Sequence, residues 1–160
     1  MASTTSDPND SLQTAVPVDD RANGCFVCGE ANPFGLRVRF RLDGDVCRAD
    51  FTPDERHQGY SGVMHGGLLF SLLDDVMANW LWLQGHACFT ARADVRYREP
   101  VALHEPLLLE GRLLRSRGGR LFDLQGQVLD AADGRCLVEA EGRFMRLPPK
   151  PEQPASEPQA

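Results

Sequence analysis

Two adjacent aspartates, Asp74 and Asp75, stand in the middle of an apolar stretch, GLLFSLLDDVMANWLWLQ, that runs from Gly67 to Gln84. Burying an ionised carboxylate is costly unless it is paired or put to use. This pair is therefore the main chemical signal in the chain. Neighbours three and four residues away distinguish the two acids if the stretch is helical. Asp74 has Phe70, Ser71, Met77 and Ala78; Asp75 has Ser71, Leu72, Ala78 and Asn79. Asp74 has the more apolar surroundings, which raise a carboxyl pKa and with it the basicity of the carboxylate. It is the candidate general base or nucleophile. The plainer alternative is that either acid faces solvent or pairs with an arginine.

His65-Gly66-Gly67 opens the same stretch. The first N–H groups of a helix lack internal partners and carry the positive end of its dipole. Glycine lets a ligand approach that backbone closely. The N–H of Gly66 or Gly67 is thus a ready donor to a carbonyl or an oxyanion. A lone His-Gly-Gly also fits an ordinary tight turn, so the motif gains weight only beside the acid.

The elements that must position these groups follow from periodicity. From Gly67 to Gln84 nothing breaks a helix, and Leu69, Leu72, Leu73, Val76, Trp80 and Leu83 form one apolar stripe. Gly85 ends it. Leu36 to Leu42 alternates as a half-buried strand, Asp43-Gly44 signals a hairpin, and Asp45 to Phe51 returns. Phe89 to Tyr97 reads as a third strand, with Phe89, Ala91, Ala93, Val95 and Tyr97 on one face and Thr90, Arg92, Asp94 and Arg96 on the other. Pro106–Arg117, Arg120–Leu129 and Cys136–Leu147 follow as strands, separated by Gly118-Gly119 and Asp133-Gly134 turns. The order ββαββββ predicts an α+β architecture, one helix against one mostly antiparallel sheet.

Bulk composition sets the bounds. At 160 residues the chain is one domain with tails. Residues 1–20 and 148–160 are polar and rich in Ser, Asp, Glu and Pro and read as disordered, which leaves a domain at 21–147. No apolar run reaches the roughly 18 residues a membrane span needs, and the N-terminus has no secretory pattern. A net charge of -6 argues against general nucleic-acid binding. Five cysteines without an export signal are expected as thiols in a cytoplasmic protein. Cys25 and Cys28 form a CxxC that is either half of a zinc site or, as the Gly, Asn and Pro around it favour, a turn. No metal and no cofactor are expected.

The segment HGGLLFSLLDD, with Asp74 nine residues after His65, resembles the PaaI-like group of hotdog-fold acyl-CoA thioesterases. The similarity extends over Cys25–Leu147, through CFVCGEANPFGL, HQGYSGVMHGG, FTARADVRYREPV and the closing pattern at Phe144. It implies a hotdog fold, a sheet wrapped round the central helix, in a homodimer or a dimer of dimers with the site at the subunit interface. It implies hydrolysis of an acyl-CoA thioester to a carboxylic acid and free CoA. On the family's pattern Asp74 is base or nucleophile, the Gly66 N–H polarises the carbonyl, His65 supports the site, and Thr90 orients the acid or the water. Thr90 also fits an ordinary strand position. Gly67 belongs with the substrate-binding turn. Several relatives carry Asn six residues before the His of HGG; here Gly59 stands there, with Gln58 beside it as a candidate substitute.

His57 either lines the mouth of the site or faces solvent. Hotdog dehydratases pair a His of this loop with an acid fourteen residues later; here that residue is Ser71, which counts against a dehydratase. Arg92, Arg96 and Arg98 are candidates for the CoA phosphates, since a guanidinium offers a planar fork of donors; a solvated strand face paired to Asp94 or Glu99 is the plainer reading. His86 and His104 have no assigned role. A non-catalytic acyl-CoA binder remains the alternative function, and chain length or ring preference of the acyl group is not legible.

Overall fold

The computed structural model describes residues 22–148. The tails expected at 1–20 and 148–160 lie outside them, apart from Pro148. The chain divides into two units, 1–37 and 38–160.

In the first unit, residues 22–36 form a series of turns. Cys25 N–H donates to Ala22 O (3.0 Å), Gly29 N–H to Cys25 O (3.0 Å), Ala31 N–H to Asn23 O (3.1 Å), and Leu36 N–H to Phe26 O (2.8 Å). The expected turn at CxxC is therefore present. The strand expected to begin at Leu36 does not. Arg37 adopts φ 55°, a left-handed conformation that interrupts an extended run.

In the second unit the order is β1 (Arg41–Asp43), β2 (Val46–Phe51), α1 (Gly66–Trp82), β3 (Cys88–Tyr97), β4 (Leu107–Arg117), β5 (Leu121–Asp130) and β6 (Cys136–Arg146). The expected ββαββββ order holds. The six strands form one antiparallel sheet in the order β1-β2-β4-β5-β6-β3, which leaves β3 at an edge. Gly44, Gly118, Gly119 and Gly134 all have positive φ in the turns where hairpins were expected.

α1 lies against one face of this sheet and buries Leu69, Leu72, Leu73, Val76, Met77, Trp80 and Leu81. The close approach depends on a row of small residues. Gly111 pairs with Gly126, and Gly126 with Ala140. A Cβ on Gly111 would stand 2.7 Å from the carbonyl oxygen of Val76, and one on Gly126 would stand 3.1 Å from that of Leu73. The sheet therefore meets the helix backbone itself, with no side chain between. Phe144, Leu124, Val128 and Leu109 close the core around that contact.

Strand β3 departs from simple alternation. Thr90 pairs with Phe144 but Arg92 pairs with Arg143, so Ala91 is an extra residue, a β-bulge. The bulge moves Thr90 onto the face of Ala93, Val95 and Tyr97, and leaves Phe89 on the face of Arg92. The expected grouping of Thr90 with Arg92, Asp94 and Arg96 is thereby corrected. Phe144, opposite Thr90, is fully buried, which marks this as the helix side.

Candidate active site

His65 caps α1. Its backbone is extended (φ -64°, ψ 129°) and its Nδ1 accepts the N–H of Gly67 at 2.9 Å. An acceptor Nδ1 places the proton of the neutral ring on Nε2. This bond separates the two glycines. The Gly67 N–H is spent on His65, the N–H groups of Leu68 and Leu69 are spent on the His65 carbonyl, and the Gly66 N–H has no acceptor among the described residues. Gly66 thus presents the free donor at the positive end of the helix. Tyr97 buttresses it from β3. The phenol O–H donates to Gly66 O at 2.8 Å, and a Cβ on Gly66 would meet the Tyr97 ring at 3.4 Å. Strand periodicity places Tyr97 only on a face of β3. Nothing in the strand pattern signals a bond that spans 31 residues.

Asp74 is partly buried on the face of α1 turned toward β3. The Thr90 hydroxyl donates to its Oδ1 at 2.6 Å. Burial pushes the Asp74 carboxyl above its ordinary pKa, and the Thr90 hydrogen bond opposes that rise. Asp75 has a different environment. Its Oδ2 accepts from Asn79 Nδ2 at 3.0 Å, one turn further along. Asp75 also acts at a distance on Cys47, whose thiol is pushed up to about 12, first by burial and then by that negative charge. Cys47 therefore stays protonated and inert.

The loop before the helix is braced from inside. Gln58 Oε1 accepts the N–H of Gly62 at 2.9 Å, and Gly59 N–H donates to Val63 O at 2.8 Å. A Cβ on Gly59 would lie 3.1 Å from His65 Cα, so a side chain at that position requires the loop or His65 to shift. Residues 58–60 and 63–66 line a cleft of about 460 Å³ that opens at Gly66, with Tyr60 exposed at its rim. His57 is buried and does not line this cleft, which corrects the expectation that it borders the mouth or faces solvent. Its Nδ1 accepts the Asp54 N–H at 2.9 Å, its carbonyl accepts the His65 N–H at 2.8 Å, and its ring meets Phe51 edge-on at 5.1 Å. It ties the loop to the helix cap.

The structure brings Gly66, Gly67, His65, Gln58 and Tyr97 to the start of α1 and joins Asp74 to Thr90 farther along it. Arg92 and Arg96 are elsewhere. Both project from the sheet face opposite Thr90, Arg92 in a recess with Arg115, Arg117, Arg143 and Asp123, and Arg96 in one with Asp94 and Glu139. Arg98 donates to Glu139 at 2.6 Å. Among the described residues no helix is long and apolar enough to cross a membrane.

Comparison with known proteins agrees with this architecture. Residues 61–137 match the Thioesterase superfamily. Over 93 residues the chain is 28% identical to the acyl-coenzyme A thioesterase THEM4 of Bos taurus, a match that covers 58% of this chain and 38% of that protein. The crystal structure of RHA08564, a thioesterase superfamily protein, superposes with a TM-score of 0.69 at 34% identity, covering 74% of this chain and 61% of the other. The E. coli PaaI protein from the phenylacetic acid degradation operon shares the fold, with a TM-score of 0.65 at 17% identity, covering 82% of this chain and 86% of that one. The chain thus spans well under half of its THEM4 relative and about three-fifths of RHA08564. Helix and strand order are those of the hotdog fold, and the segment 61–137 is similar to the Thioesterase superfamily.

Proposed function

We propose that the protein hydrolyses acyl-CoA thioesters to a carboxylic acid and free CoA. The observation that carries this reading is the unspent Gly66 N–H at the start of α1, on the same helix as a carboxyl whose pKa is raised by burial and which is held by Thr90. The Gly66 N–H receives the thioester carbonyl and then the oxyanion of the tetrahedral intermediate. Asp74, as carboxylate, either takes a proton from the attacking water or attacks the carbonyl carbon itself. In the first case the proton taken by Asp74 passes to sulfur as the C–S bond breaks, and CoA leaves as its thiol. In the second the C–S bond breaks to release the CoA thiolate, water then hydrolyses the acyl–Asp74 anhydride to the carboxylic acid, and the thiolate takes up a proton from solvent. His65 holds the turn in which Gly66 sits, and Thr90 sets the direction of the Asp74 lone pairs. The THEM4 relative, named as an acyl-coenzyme A thioesterase, supports the substrate class.

Gly66 and Asp74 of one chain do not serve one substrate. Eight residues of helix separate their backbones by about 12 Å, and the Asp side chain recovers only a few ångströms of that. Two copies related by a twofold axis, with antiparallel helices, bring Asp74 of one to Gly66 of the other. The ten-residue edge strand β3, which carries both Thr90 and Tyr97, offers such a copy a row of unpaired backbone groups. The test is release of CoA thiol over short, medium, long and aromatic acyl-CoAs, with the protein's own cysteines subtracted. Turnover without added metal or cofactor is expected. Binding without turnover on every member of the panel overturns hydrolysis in favour of an acyl-CoA binder.

A further inference from the structure

The Cys25-Phe26-Val27-Cys28-Gly29 turn has no part in the chemistry above. Its two sulfur atoms lie within 4.8 Å of each other, and neither cysteine is in a disulfide. The Val27 N–H points at Cys25 Sγ, 3.4 Å away, and the Gly29 N–H closes the turn on the Cys25 carbonyl at 3.0 Å. Gly29 admits no side chain, since a Cβ there would stand 2.4 Å from both Asn23 O and Cys25 N. Asn32 braces the other side of the turn. Its Nδ2 donates to Gly24 O at 3.2 Å and its Oδ1 accepts the Phe34 N–H at 3.0 Å. The backbone thus holds two sulfurs side by side, one of them already receiving a donor. A turn serving only to redirect the chain has no need of that pairing.

We propose that Cys25 and Cys28 form a dithiolate half-site for a zinc-type metal ion, with this turn supplying two of the four positions of a tetrahedral ion. Two thiolates on one metal at the usual zinc–sulfur bond length of about 2.3 Å sit roughly 3.8 Å apart, a separation within the span the turn already sets. Each thiol gives its proton to solvent as its metal–sulfur bond forms, so uptake is proton-coupled and no electron moves. The remaining positions are open to water or further donors. The site is independent of thioester hydrolysis and stands whether or not that reading does.

The experiment is titration of the full, reduced chain with Co²⁺, followed by displacement with Zn²⁺. Sulfur-to-cobalt charge-transfer absorption in the near ultraviolet is expected, saturating at one equivalent and bleached by Zn²⁺. In Cys25→Ser with Cys28→Ser the band should vanish, whereas Cys136→Ser should leave it unchanged. Gly29→Ala keeps both thiols but forces the turn open, and should weaken Zn²⁺ by about tenfold or more, the size of effect that misoriented ligands produce. Circular dichroism confirms that each variant is folded. Absence of the band in the reduced wild-type chain overturns the proposal, and so does its persistence in the double serine variant. Wild-type affinity in Gly29→Ala overturns the role given to the turn.

Discussion

Replacing Gly66 by proline removes one hydrogen atom from the proposed reaction and disturbs little else. The Gly66 N–H has no acceptor among the described residues, so no internal bond is lost. Proline is tolerated at the first position of a helix, and the residue before it must be extended, as His65 already is at φ -64° and ψ 129°. The added Cβ meets Tyr97 Cε1 at 3.4 Å, an ordinary contact. Stability should therefore stay near that of the wild type. Loss of one oxyanion donor costs about a hundredfold to a thousandfold in kcat, or roughly 3–4 kcal/mol of barrier. Gly66→Ala is the control, because it adds the same Cβ and keeps the N–H; it should stay within about threefold of wild type. The pair separates the donor from the side chain, and mixing tests the shared site. Gly66→Pro and Asp74→Ala homodimers each lack a working site. After random subunit exchange half the dimers are mixed, with one site doubly defective and one intact, so activity should recover to about a quarter of wild type. Thiol release measures rate, and sizing with a tagged subunit confirms exchange. Full activity in Gly66→Pro refutes the donor. A mixture that exchanges yet stays as inactive as its parents refutes the shared site.

Asp74→Asn should lower the rate by about a hundredfold or more, and Asp75→Asn by less than about tenfold; the reverse order shows that Asp75 carries the reaction. The same Asp74→Asn change should raise the melting temperature at pH 7. Burial raises the folded-state pKa of Asp74, so its stabilising contribution is present below the ordinary carboxylate pKa and lost as pH rises through the raised value, a penalty that a neutral amide escapes; a lower melting temperature contradicts this. Thr90→Val removes the bond that holds that pKa down, so the acid limb of the kcat/KM profile should move to higher pH, and an unmoved limb separates Thr90 from the reacting carboxyl. Tyr97→Phe keeps the ring but loses the bond to Gly66 O, and should reduce kcat about fivefold, near 1 kcal/mol, with KM unchanged. Gly111→Ala places a Cβ 2.7 Å from the Val76 carbonyl oxygen, and denaturant unfolding should show a loss of about 1–3 kcal/mol.

Local chemistry made much of the molecule legible before any tertiary contact was known. The stretch after His65 had to be helical because no residue in it breaks the period, and its burial followed from an apolar surface wider than one stripe. The hairpin turns could be located because glycine is the residue that takes positive φ at no cost, and Gly44, Gly118, Gly119 and Gly134 all do. Asp74 stood out because an acid in an apolar helix conflicts with its surroundings. The misreadings came where a backbone broke a pattern or a position in the chain stood in for an environment. Arg37 in the left-handed region ended the run expected as the first strand. His57 was read by its loop position, whereas its ring is buried against Phe51.

What the sequence by itself determined are the properties set by near neighbours: the helix and its apolar faces, the turns and the antiparallel class; it also singled out the acid and the glycine on which the proposed site is built. What only the tertiary structure decided are the properties set by pairing across the sheet. Strand periodicity placed Thr90 with Arg92, and the extra residue Ala91 reverses that, turning Thr90 to Asp74 while both arginines stay on the opposite face. Periodicity carries no mark of a bulge, because a bulge is defined by the count on the partner strand β6. The choice between the two glycine N–H groups likewise rested on where the His65 ring turned, and the buttress on Gly66 came from Tyr97, 31 residues away. The track of Gly111, Gly126 and Ala140 beneath the helix exists only once β4, β5 and β6 are in register. Each of these is a relation between distant segments, and its energy depends on distances that a one-dimensional pattern does not contain.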